Sequence, residues 1–88
     1  MELKIASRIL EDELGRERRF QYALLIDQVE SGRFSCEDYG VSVREEGGDY
    51  VALPGITTSA MRIDELITLL VEHKVGPTTL ADVVADWL

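Results

Sequence analysis

The sequence predicts an α+β domain: an antiparallel four-stranded meander over about residues 2–54, with two C-terminal helices (about 59–75 and 78–88) packed on one face. Three observations carry this expectation. Apolar residues recur with period two through the first half and with helical spacing through the last thirty residues. Glycine-containing turns separate the strand candidates at distances too short for crossover helices. Strands followed by helices, rather than alternating with them, segregate the helices to one side of the sheet.

From Glu2 to Leu10 the chain alternates, placing Leu3, Ile5, Ser7 and Ile9 on one side and Ala6, Arg8 and Leu10 on the other. Gly15 suits the turn that follows, because it takes positive φ without steric cost. The second strand has the strongest pattern, with Phe20, Tyr22, Leu24 and Ile26 sharing a face. Ser31-Gly32-Arg33 reads as the next turn. A third strand runs from about Phe34 to Arg44 with Tyr39, Val41 and Val43 inward, and Gly40 marks a bulge or a close backbone approach. Glu46-Gly47-Gly48-Asp49 makes another turn before a short strand from Tyr50 to Leu53, which Pro54-Gly55 ends; Pro54 lacks a ladder donor, so this strand lies on a sheet edge or stops there.

Ser59 and the threonines before it offer N-caps, and Ile63, Leu66, Ile67, Leu70 and Val71 form one buried face. Asp64 and Glu65 near the start, and His73 and Lys74 at the end, suit the helix dipole. Gly76 and Pro77 stop this helix. In the last one, Leu80, Val83, Val84, Trp87 and Leu88 repeat the spacing, and Thr79 with Asp82 resembles a capping box.

The 88 residues make one domain, residues 1–88, of ordinary hydrophobic content. Net charge is −8, and residues 45–88 hold two basic groups against eight acidic ones. Such a surface repels phosphates, so direct nucleic-acid binding is not expected, nor is attachment to an anionic membrane. The basic cluster Arg16, Arg18 and Arg19 is interleaved with acids and reads as a solvated hairpin end. No apolar run approaches the ~18 residues of a membrane span, and the opening residues do not form a signal peptide. A cytoplasmic location is expected.

The segment from Glu65 to Leu70, then Pro77, Leu80, Asp82-Val83-Val84 and Asp86-Trp87-Leu88, resembles the carboxyl end of a family of small, uncharacterised proteins found mainly in clostridia. Tyr39-Gly40-Val41-Ser42-Val43 is similar to that family's middle strand. The resemblance implies a bacterial cytoplasmic protein and brings no activity with it. Many members carry histidine where Thr79 stands, so this chain departs there.

Candidate chemical residues are few, and each has a plain structural reading. His73, the single histidine, sits where a helix ends, thirty-seven positions from Cys36, so the two make poor metal ligands. Cys36 is flanked by Glu37 and Asp38, whose charges oppose thiolate formation. Asp82 and Asp86 lie four residues apart on the wet face of the last helix. No catalytic, cofactor or metal set is expected.

Trp87 reads both as a core residue and as an interface anchor. With Leu88, and with Leu10 and Leu25 on an outward sheet face that also carries Ala6 and Ala23, it makes the candidate interface. The leading expectation is a non-enzymatic, acidic protein-interaction module with a protein partner or as a homodimer. The alternative is a small-molecule or enzymatic site in the groove between helices and sheet, exposing Tyr22, Tyr39, Tyr50 and Arg44.

Overall fold

The structure, a computed structural model, describes residues 1–88 with the exception of the Ser31 side chain. Its elements are β1 (Glu2–Glu11), β2 (Glu17–Ser31), β3 (Phe34–Glu45), β4 (Tyr50–Thr57), α1 (Ala60–Glu72) and α2 (Leu80–Trp87). The strands form one antiparallel sheet in the order β1-β2-β3-β4, the expected meander. Short hairpins allow only this pairing of neighbours. In the first of them, the Asp12 carboxylate accepts hydrogen bonds from the backbone N–H groups of Leu14 and Arg16, both at 2.9 Å. Gly15 takes φ +76° there, as its place in the turn requires.

One face of the sheet carries the core. Tyr22 pairs with Val43, Leu24 with Val41 and Ile26 with Tyr39, so these side chains share the helix side. Phe20, Tyr22, Val41 and Val43 are buried there against Ile63, Leu66, Ile67 and Leu70 of α1 and Leu80 and Val84 of α2. Ser59 caps α1 by accepting from the Arg62 N–H at 3.2 Å.

Several local expectations need correction. A bulge between Lys4 and Ala6 breaks the alternation of β1. Beyond it Ala6 pairs with Tyr22 and Leu10 with Arg18, and both Ala6 and Leu10 pack on the core side instead of the outward face. β4 does not stop at Pro54-Gly55. Its register with β3 jumps from Leu53 to Thr57, so the strand passes through a bulge in which Gly55 has φ +65°. Gly40 faces this bulge, and a Cβ on it would lie 2.3 Å from the Leu53 carbonyl oxygen.

Lys74, not Gly76, takes the left-handed conformation after α1, with φ +51°. Gly76 instead lets the Phe20 ring approach; a Cβ there would sit 3.1 Å from Cζ. Asp64 and Glu65 lie beyond the first turn of α1 and so do not serve its dipole as expected, while His73 closes the helix as its C-cap, with Lys74 following it. Thr79 makes no side-chain cap to α2.

The hairpin of β2 and β3 runs past the helices. From the Gln28–Glu37 pair to its tip the described side chains of this arm are exposed, and the molecule measures 55 × 23 × 17 Å.

A candidate groove beside the first helix

α1 does not cover the sheet evenly. The Arg62 guanidinium stacks on the Trp87 ring at 4.3 Å, which holds α2 against one flank of α1. Ala60, Ile63, Asp64 and Ile67 belong to the other flank and face a groove of about 290 Å³. Its floor is Ile5, Leu24, Ile26 and Tyr39, and Glu37 completes the rim. Toward the open edge the apolar surface continues, because Leu3 and Ile5 are 41 % and 51 % exposed.

The groove is apolar with an acidic rim. No Lys or Arg lines it, and the Tyr39 hydroxyl donates to Glu37 at 3.0 Å. That bond raises the pKa of the phenol, since the carboxylate opposes a second negative charge. The volume is at the lower limit for small-molecule pockets. Its chemistry suits apolar side chains with positive charge beside them.

A larger but open depression of about 450 Å³ lies at the hairpin end, lined by Glu17, Arg19, Glu46 and Gly47. Arg19 and Glu46 lie 3.5 Å apart there. In the same hairpin end Arg18 forms a two-pronged pair with Glu45 at 2.6 and 3.0 Å, and Arg16 bonds Asp12 at 3.2 Å. Each arginine of the basic cluster therefore has its own carboxylate, which leaves no surplus charge for phosphate.

The residues expected to share a ligand groove are separated. Tyr39 lines the groove, but Tyr22 is buried in the core. Tyr50 and Arg44 belong to the opposite sheet face, where the guanidinium stacks on the ring at 4.3 Å. On that face the Glu2 carboxylate accepts from Ser42 at 3.0 Å and from Tyr50, linking β1 to β4 across the strands between. These bonds, that from Tyr50 foremost, hold the Glu2 carboxyl below its ordinary pKa and raise that of Tyr50. Ser42 is 2 % exposed and Ala23 is 8 % exposed without any helix over them. The uncovered face is thus roofed at its centre by its own side chains.

The candidate interface residues are equally scattered. Leu25 is half-buried on the roofed face and Leu10 is on the helix side. Trp87 packs partly buried against the core, while Leu88 is 72 % exposed. Asp82 and Asp86 are exposed on α2, as the amphipathic pattern requires. Cys36 is free and exposed on the arm, and His73 caps α1. Among the described residues, no three His, Cys, Asp or Glu side chains gather closely enough to hold a metal ion. No helix is long and apolar enough to cross a membrane. The groove itself escapes a reading of the sequence, because it depends on which flank of α1 receives α2.

No curated protein and no solved structure matches the chain. A family model does, over residues 1–88, and by that match the chain belongs to a family of unknown function, DUF6514.

Proposed function

We propose that this chain is a non-enzymatic protein-binding module of a bacterial cytoplasmic protein, and that the groove beside α1 holds an apolar partner segment flanked by Lys or Arg. The carrying observation is the apolar floor under a rim of Glu37 and Asp64, in a chain of net charge −8. Complementary charge speeds encounter and selects partners, while the apolar anchor supplies affinity. The polar groups of the groove, two carboxylates and a phenol bound to one of them, offer no activated nucleophile. The likeness of the tail to clostridial proteins supports the bacterial origin. The free Cys36 thiol suits a reducing compartment.

Selection from a random peptide display library tests the reading. Enriched peptides should carry one or two large apolar residues with adjacent Lys or Arg. Binding of their synthetic versions should weaken at least tenfold on Ala60→Arg, which places a cation in the rim at an exposed helix start. No enrichment, or enrichment of acidic peptides, contradicts it.

A further inference from the structure

We infer that β1 is a self-pairing edge: in solution it joins antiparallel to β1 of a second copy, in a register centred on Leu3. This interface shares Ile5 with the groove and otherwise lies outside it, and it goes beyond the binding role proposed for it. The two edges of the sheet are unequal. β4 carries Pro54, which has no N–H to donate, inside its bulge. β1 is ten residues long, has no proline, and leaves one side of its ladder open.

The side chains at its start are self-complementary. In antiparallel strands, residues directly opposite each other point to the same face. Centred on Leu3, the register sets Leu3 against the partner's Leu3 and Met1 against the partner's Ile5, all on the helix side. On the other face it sets the Glu2 backbone opposite the partner's Lys4, twice by symmetry, so the ammonium lies beside a carboxylate that also accepts from Ser42 and Tyr50. Met1, Leu3 and Ile5 are 72 %, 41 % and 51 % exposed in the single chain, so pairing covers apolar surface that the fold leaves bare.

Alternative registers are penalised. Sliding to the next register that keeps each face together brings Lys4 against Lys4 in one direction and Glu2 against Glu2 in the other. Like charges directly opposed across strands are destabilising. The bulge between Lys4 and Ala6 then ends the regular pairing, which confines the match to this segment. The product is a continuous eight-stranded sheet with both helix layers on one side. It also brings the partner's Met1 beside Ile5, which lines the groove, and so lengthens the apolar floor of each site.

Light scattering on the full chain and one engineered crosslink test this. The mass in solution should be twice 9.9 kDa at micromolar concentration. In a Cys36→Ser background, Leu3→Cys should oxidise to a covalent dimer. Opposed antiparallel residues lie about 4.5–5.5 Å apart at Cα, within reach of a disulfide. Ile9→Cys in the same background, on the same strand and 45 % exposed, should stay monomeric on a non-reducing gel. A monomeric mass at 100-micromolar concentration overturns the inference, as does crosslinking of Ile9→Cys as readily as Leu3→Cys. Neither result touches the groove, whose peptide binding is read separately.

Discussion

Tyr22 is a sharp test of the packing described above, because its hydroxyl is buried with no hydrogen-bond partner. The residue is 1 % exposed, and the ring packs in the core between the sheet and the helices. A buried polar group left unpaired costs about 1–3 kcal/mol relative to its hydration in the unfolded chain. Tyr22→Phe removes that cost and keeps the ring, so the domain should gain about 1–2 kcal/mol. For a chain of this size each kcal/mol moves the melting temperature by about 4–8 °C. Urea denaturation gives the cleaner reading: the midpoint should rise with an unchanged slope, since the surface exposed on unfolding is the same.

Alkaline pH supplies a second signature of that substitution. Burial pushes the Tyr22 phenol up to about 12, from 10.0 in the unfolded chain. A raised folded pKa contributes stability that is complete below pH 10 and is lost as pH rises through about 12. Tyr22→Phe should therefore flatten the decline over that window. Loss of 1 kcal/mol or more on substitution would show that the hydroxyl has a partner and refute the reasoning.

Other consequences are as direct. Gly40→Ala drives a methyl into the backbone of the Pro54-Gly55 bulge, 2.3 Å from the Leu53 carbonyl oxygen, and should cost more than about 2 kcal/mol by urea denaturation. Arg62→Ala frees one face of the Trp87 ring; a loss of about 0.5–1 kcal/mol with a red shift in tryptophan emission is expected, and an unmoved spectrum contradicts the stacking. The Glu45 carboxyl is held below its ordinary 4.5 by Arg18. That contribution is present above pH 4.5 and lost as pH falls through the lower folded value, so Glu45→Gln should flatten the acid limb of a stability–pH profile.

Much of this architecture is legible in the residues. Period two through Phe20, Tyr22, Leu24 and Ile26 sets the face of β2, and the register with Tyr39, Val41 and Val43 follows once a short turn joins the strands. The helical stripe of Ile63, Leu66, Ile67 and Leu70 is equally plain. The irregularity between β3 and β4 is marked by Gly40, where the backbones approach closely, but the β1 bulge is not legible, because one extra residue shifts every later side chain to the other face and leaves little trace in composition. That is how Leu10 came to lie on the helix side although simple alternation sends it outward. The choice of Lys74 over Gly76 for the left-handed position follows the same lesson: Gly76 is needed where Phe20 presses in. The groove depends on a long-range contact, Arg62 with Trp87, which no local pattern encodes.

The outer sheet face offers a further physical point. A sheet covered by helices on one side exposes its other side to water. Here Glu2, Tyr50 and Arg44 close the centre of that side with hydrogen bonds and a stacked guanidinium. Small residues beneath, Ala23 and Ser42, are thereby buried without a second layer. Apolar surface suited to partners is left on the β1 flank.

The six isoleucines provide the most direct test of that conclusion. Ile5, Ile26, Ile63 and Ile67 line the groove, whereas Ile9 lies on the outer side of β1 and Ile56 on β4. Methyl spectra of isoleucine-labelled protein, titrated with a basic-flanked apolar peptide from the display selection, should show the first four resonances moving together and the last two still. Movement of Ile9 and Ile56 with the groove methyls unchanged would place binding elsewhere and contradict the account.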